Sequence, residues 1–227
     1  MIGFYDYTLI LTLSSLVSAF IGISAVINEK YGLCVLCLLI SGICDGLDGK
    51  VARTKKNRTD DEKSFGVQLD SMCDMIAFCA LPAVFCYKAG GSRPASLFAS
   101  CYYCICSVIR LSYYNTMEMK RMGMEHPAEK VYYGLPITSI ALILPALVYV
   151  EAVTRSGLIS AAVLPVFLVT ATFFILNIKI RHAGKLAGAG IAAFLVLVLV
   201  SSFCSPAYKE SGIGFGKYVL EGIRAIS

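Results

Sequence analysis

The stretch Ile43–Asp74, ICDGLDGKVARTKKNRTDDEKSFGVQLDSMCD, sets four aspartates, Asp45, Asp48, Asp70 and Asp74, within two hydrophobic segments. The first pair is spaced i,i+3 and the second i,i+4, so each pair stacks on one face of a helix. Carboxylates inside a membrane are costly and persist only where a metal, a partner charge or a water-filled cavity compensates them. Four converging carboxylates repel one another unless divalent cations neutralise them, and an oxygen-only donor set suits hard ions such as Mg²⁺ or Mn²⁺. Cations held in this way are what chemistry on a phosphate needs.

The surrounding residues fit that reading. Asp45, Asp48, Gly49 and Ala52 fall at i, i+3, i+4 and i+7 on one helical stripe. Glycine inside a helix costs about 1 kcal/mol relative to alanine, which makes sense where a ligand or another helix must approach the backbone. Arg53 lies beside the stripe, and its guanidinium can clamp a phosphate through two hydrogen bonds. Gly66, Asp70 and Asp74 repeat at i,i+4 on the next helix. An intramembrane aspartate can also serve as helix-to-helix glue. Four of them on consecutive helices, with small residues between and an arginine alongside, argue against that.

Composition sets the class. Of 227 residues, 57% are hydrophobic and 15% charged, against about 25% charged in soluble domains. With a mean hydropathy of +0.73, the chain reads as an all-α integral membrane protein. Candidate spans are 7–28, 31–53, 66–88, 95–116, 135–153, 157–179 and 187–204, followed by a glycine-containing tail from Tyr208 that suits a loop or an interfacial helix. The first ten residues contain no Lys or Arg, so span one lacks the basic flank of a secretory signal and is expected to stay in the mature protein. Alternate loops hold twelve Lys or Arg residues on one side against four on the other, which predicts a cytoplasmic N-terminus and a cytoplasmic aspartate quartet. The charged run Thr54–Lys63 reads as a solvated loop. The ten cysteines lie mostly in apolar segments and read as small buried side chains rather than metal ligands. His126 and His182 read as solvated loop residues. No basic stripe interleaves with aromatics, which argues against nucleic-acid binding.

DGLDGKVAR (45–53) followed by GVQLDSMCD (66–74) resembles the signature of the CDP-alcohol phosphotransferases, Asp-x2-Asp-Gly-x2-Ala-Arg and then Gly-x3-Asp-x3-Asp. All eight fixed positions are filled, by Asp45, Asp48, Gly49, Ala52, Arg53, Gly66, Asp70 and Asp74. The spacer from Arg53 to Gly66 is longer than usual, and the extra residues fall in the charged loop, which tolerates insertion. Within that family the chain is similar to the membrane-embedded phosphatidylserine synthases (CDP-diacylglycerol–serine O-phosphatidyltransferases). SFGVQLDSMCDMIAFCALPA, RLSYYN and YYGLPITS carry this likeness, which covers about residues 5–180. Ala77-Phe78-Cys79 departs from a more usual Ser-Phe-Gly.

The resemblance implies a six-helix phosphotransferase domain over 1–180, one or two additional C-terminal helices within 181–227, and a homodimer. It implies transfer of a phosphatidyl group from CDP-diacylglycerol to L-serine, giving phosphatidylserine and CMP. Two divalent ions, Mg²⁺ or Mn²⁺, would be held by Asp45 and Asp70 jointly, with Asp48 on one ion and Asp74 on the other. Asp74 would also act as general base toward the serine hydroxyl. Gly49, Gly66 and Arg53 would contact the CDP-alcohol, with Thr59 and Ser64 as rival nucleotide-contacting hydroxyls. For serine, Arg110 is the leading carboxylate partner, and a snorkelling arginine is its rival reading. Asn115 and Gln68 either bind substrate or pair with neighbouring helices; Lys130 and Arg121 are weaker candidates. Alternatives are the same chemistry on glycerol phosphate, inositol phosphate or an archaeal lipid donor, and, from another class, a divalent-cation transporter. Against transport stand Arg53, which repels a permeating cation, and the placement of the quartet away from the midplane.

Overall fold

Apolar sequence with small residues recurring every three or four positions builds helices that approach one another closely, and that pattern sets the architecture. The computed structural model describes residues 3–4, 6–52, 54–55, 59–122, 132–154 and 158–180. Six helices run through them: α1 (Leu9–Ile27), α2 (Tyr31–Ala52), α3 (Asp60–Ala89), α4 (Pro94–Met122), α5 (Ile140–Thr154) and α6 (Leu158–Ile175). The first four are long and apolar enough to cross a membrane, and α5 and α6 contain shorter apolar helices. The protein is an all-α, multi-pass membrane protein. Arg53, His126, Lys130, His182, span 187–204 and the tail lie outside the described residues, as does the side chain of Arg121.

On α1, Thr12, Ser15, Ser18, Ala19, Gly22 and Ala25 form one buried stripe that packs chiefly on α2. Two hydroxyls tie the pair: Ser18 Oγ donates to the Cys37 carbonyl (2.9 Å) and Ser41 Oγ to the Ser15 carbonyl (3.1 Å). Gly22 is a true contact glycine. A Cβ there would lie 3.0 Å from both Cys37 Cβ and Leu81 Cδ2, so α1, α2 and α3 meet where it has no side chain.

Two expected boundaries are corrected. The third helix starts at Asp60 rather than at 66, inside the charged run expected to be loop. Thr59 and Glu62 form a reciprocal capping box there, and Asp60, Asp61 and Glu62 occupy the first turn, where negative charge complements the helix dipole. The fifth span does not run as helix from 135. Leu135–Pro136 is extended, a 3₁₀ turn covers Ile137–Ser139, and α5 begins at Ile140.

Within α3 the segment Met75–Ala80 is a π-helix, immediately after Asp74. Pro82, four residues after Phe78, has no N–H to give the Phe78 carbonyl its α-helical bond, and the buried Tyr103 Oη donates to that carbonyl at 2.7 Å. Tyr103 in turn packs on Phe167 and Phe174 of α6, with ring centroids 5.0 and 5.5 Å apart. These rings, with Phe78 and Phe85, form the core between α3, α4 and α6. The described cysteines carry free thiols and most are buried.

The segment before α1 is fastened to the α2–α3 connection. Lys55 bridges Asp6 (2.9 Å) and Glu62 (3.1 Å). Tyr7 Oη and Thr54 Oγ1 share a hydrogen bond of 2.8 Å, and Phe4 meets Phe65 edge-on at 5.8 Å. Asp6 also accepts from the Thr8 hydroxyl and, at 2.7 Å, from the Thr8 amide. The Thr8 hydroxyl and then Lys55 hold the Asp6 carboxyl down, at about 2 against an ordinary 3.8.

Candidate active site

α2 continues without a break through Asp45 and Asp48, and α3 brings Asp70 and Asp74 to meet it. Asp45, Asp70 and Asp74 each offer a carboxylate oxygen within 4.8 Å of the others. Asp74 is buried, with 8% of its surface exposed. Among the described residues, Asp70 Oδ1 is buried without a hydrogen-bond partner, and a buried lone pair of that kind calls for a ligand. Three hard oxygen donors at this separation can hold a divalent cation.

Asp70 lines two cavities. One, of about 280 Å³, lies between α1, α2 and α3 and is walled by Thr12, Asp48, Gly49, Lys63, Gly66 and Asp70. Asp48 therefore sits next to the trio on the α1 side, where Thr12 Oγ1 donates to its Oδ2 at 3.4 Å. A Cβ built on Gly46 or Gly49 meets nothing within 4 Å. Close helix contact is thus not the reason for these glycines, and at Gly49, which lines the cavity, room for a ligand against the backbone is what is left.

The second cavity, of about 220 Å³, is walled by Asp45, Asp70, Asp74, Arg110, Tyr114 and Thr138. Arg110 is 8% exposed. Its Nε donates to the Leu135 carbonyl (3.3 Å) and its Nη2 to the Gly134 carbonyl (3.4 Å). Among the described residues it forms no ion pair. A buried guanidinium facing a carboxylate-lined cavity is equipped to receive an anionic group.

The other candidates sit elsewhere. Asn115 Oδ1 accepts from Ser71 Oγ at 2.7 Å, joining α4 to α3. Gln68 is exposed and lines neither cavity. The Thr59 hydroxyl caps α3, accepting from the Glu62 amide at 3.2 Å, and the Ser64 hydroxyl meets Met119 Sδ at 3.8 Å. Sequence reasoning passed over Thr12, Tyr114 and Thr138 as cavity walls, and gave Lys63, with the other lysines of 54–63, only a secondary role in attracting phosphate. For Thr138 a signal existed, since YYGLPITS stood out as a segment, but its contact with the aspartates depends on tertiary packing.

Comparison with known proteins shows what the chain is similar to. A CDP-diacylglycerol–serine O-phosphatidyltransferase of Methanocaldococcus jannaschii is 31% identical over 123 residues, 54% of this chain and 52% of that protein. One of the same name from Helicobacter pylori is 25% identical over 216 residues, 91% of this chain and 86% of that protein. An archaetidylserine synthase of Methanothermobacter thermautotrophicus is 29% identical over 126 residues, 55% and 50% of the two chains. The matches to the Methanocaldococcus protein and its Mycobacterium bovis counterpart span about half to two thirds of those relatives' length. The family model described as CDP-alcohol phosphatidyltransferase matches residues 8–176, from just before α1 to the end of α6. That match takes in all six helices and every carboxylate of the cluster, and the chain belongs to the CDP-alcohol phosphatidyltransferase family.

Proposed function

We propose that the protein transfers the phosphatidyl group of CDP-diacylglycerol to the hydroxyl of L-serine, giving phosphatidylserine and CMP. The observation that carries this is the cavity in which Asp45, Asp70 and Asp74 face Arg110, in a chain whose relatives bear serine transferase names. Carboxylates and a guanidinium around one small space suit a zwitterionic hydroxy acid, whose amine needs an anion and whose carboxylate needs a cation.

The donor set fits divalent cations, being all oxygen, closely spaced and with one lone-pair atom unsatisfied. Asp45, Asp48, Asp70 and Asp74 would hold two of them, Mg²⁺ or Mn²⁺, which neutralise charge on the pyrophosphate and on departing CMP. The nucleotide occupies the α1–α2–α3 cavity, where Gly49 and Gly66 let it approach the helix backbones and Arg53 holds a phosphate. With the Thr59 hydroxyl engaged in capping, Ser64 is the remaining candidate hydroxyl, and Lys63 lines the cavity. Serine lies in the second cavity with its carboxylate on Arg110. Asp74 takes the hydroxyl proton as the serine oxygen bonds to the lipid-side phosphorus, and the phosphoanhydride electron pair leaves with CMP. A carboxylate is a weak base for an alcohol and helps most as bond formation advances and the proton becomes acidic.

The excess of Lys and Arg in alternate loops supports a cytoplasmic N-terminus and active site. Residues 1–180 would form the transferase domain and work as a homodimer; the additional span expected at 187–204 lies outside the described residues. An ether-lipid donor is the second reading, favoured by the archaetidylserine synthase relative. The test is CMP release by purified protein in detergent, with CDP-diacylglycerol or its ether analogue, a panel of serine, glycerol 3-phosphate and inositol phosphate, and Mn²⁺ or EDTA. Metal-dependent release with serine alone supports the proposal. Release only with another alcohol overturns the acceptor.

A further inference from the structure

We propose that Gly134 is a positioning residue for the acceptor cavity, because its left-handed turn builds the backbone bracket that holds Arg110. The inference rests on the reading above, in which Arg110 receives the acceptor's carboxylate.

The bracket is two residues long and faces two ways. The Gly134 amide donates to the Ile178 carbonyl (2.8 Å) and the Leu135 amide to the Phe173 carbonyl (3.1 Å), pinning the segment to the end of α6. The carbonyls of the same two residues accept from Arg110 Nη2 and Nε. An antiparallel pairing of Tyr132–Tyr133 with Lys179–Ile180 continues the attachment. Arg110 on α4 is thus located by chain that follows α6.

Only glycine fits at the pivot. Gly134 has φ +72°, where side chains are disfavoured. A Cβ there would stand 2.8 Å from the Phe174 carbonyl oxygen and 3.0 Å from that of Leu176. Both are backbone atoms at the end of a packed helix, so the bracket itself must move. The consequence falls on Arg110 because it has somewhere else to go. It lines the carboxylate cavity on one side and, on the other, a cavity of about 290 Å³ walled by Ile109, Tyr113, Phe174, Leu176 and Asn177. A long, flexible side chain between two spaces needs fixed acceptors to favour one, and the two carbonyls supply them.

The test uses the full chain in detergent, with KM for serine, KM for CDP-diacylglycerol and kcat measured for Gly134→Ala, Arg110→Lys, Arg110→Ala and the Gly134→Ala/Arg110→Ala pair. Misplacing a charged donor predicts that Gly134→Ala raises the serine KM about tenfold while the CDP-diacylglycerol KM stays within about twofold. The double variant should be no worse for serine than Arg110→Ala alone, since the bracket acts only through Arg110. Equal rises in both KM values, or additive effects in the double variant, overturn the proposal. If Gly134→Ala does not fold, Arg110→Lys decides: it keeps the charge but loses the fork that spans both carbonyls, and an unchanged serine KM overturns the bracket. An Arg110→Ala variant with unchanged serine KM would instead refute the underlying acceptor reading. A raised serine KM in Arg110→Ala alongside an unchanged one in Gly134→Ala refutes only the bracket.

Discussion

Replacing Asp70 with asparagine separates electrostatic repulsion from cation binding in one experiment. Asp70 borders both cavities and lies with Asp45 and Asp74 inside a 4.8 Å envelope. At an effective dielectric constant of about 20, two unit charges at that distance repel by about 3.5 kcal/mol, and a fully ionised trio carries about 10 kcal/mol. Water entering the cavities screens part of this and protonation of a carboxyl relieves more, so the net cost to folding is smaller. The fully ionised figure is of the order of a whole domain's folding free energy, about 5–15 kcal/mol. Asp70→Asn removes two of the three repulsive pairs, up to about 7 kcal/mol. The variant should therefore unfold at a higher temperature than the parent in EDTA. Adding Mn²⁺ at about a hundredfold its Kd stabilises the parent by about 2.7 kcal/mol, a rise of about 5–10 °C for a chain of this size. The variant should respond little. Thermal unfolding in detergent, followed with a dye that reacts with newly exposed thiols, suits a chain whose cysteines are mostly buried. A variant less stable than the parent in EDTA, with an equal rise on Mn²⁺, would refute the reasoning.

Four further outcomes are expected. Asp74→Asn should abolish turnover while leaving Mn²⁺-dependent CDP binding measurable by calorimetry, and parental turnover would remove Asp74 as base. Tyr103→Phe strands the buried Phe78 carbonyl and should cost about 1–3 kcal/mol of stability, seen as a lower Tm. Gly22→Val forces a side chain against Cys37 and Leu81 and should destabilise by about 1–3 kcal/mol in the same assay, whereas an unchanged Tm would refute the close contact. The Asp6 carboxyl is held below its ordinary value, so its contribution is present above pH 3.8 and is lost as pH falls from there through about 2. Asp6→Asn should remove that component from the Tm-against-pH profile, and an identical profile would contradict it.

Helical periodicity made the aspartate geometry legible, because i,i+3 and i,i+4 spacings commit side chains to one stripe whatever the partner helix does. Apolar length likewise marked the helices, including α1 and α2 to within two residues. The start of α3 was legible in principle, since Thr59 and Glu62 spell a capping box. Its first turn is nonetheless so charged that the hydrophobic period begins only near Gly66. Pro82, which leaves the Phe78 carbonyl without its helical donor, was legible, but the hydroxyl that satisfies that carbonyl was not, because Tyr103 lies 25 positions further along the chain. Of the second cavity's walls beyond the aspartates, Arg110 was named through the family resemblance, whereas Tyr114 and Thr138 were not. Arg110, Tyr114 and Thr138 reach the aspartates only once α4 and the turn before α5 fold back, and the Gly134 bracket depends on pairing with chain beyond α6. Local pattern announces the carboxylates, and long-range packing decides what faces them.

Serine transfer is read out by giving the purified protein CDP-diacylglycerol, isotopically labelled serine and Mn²⁺, and identifying the lipid product by mass spectrometry. Labelled phosphatidylserine is expected in amounts equal to the CMP released, absent with EDTA and absent for Asp74→Asn. CMP release without label in lipid, or labelled lipid that forms equally in EDTA, would contradict metal-dependent transfer to serine.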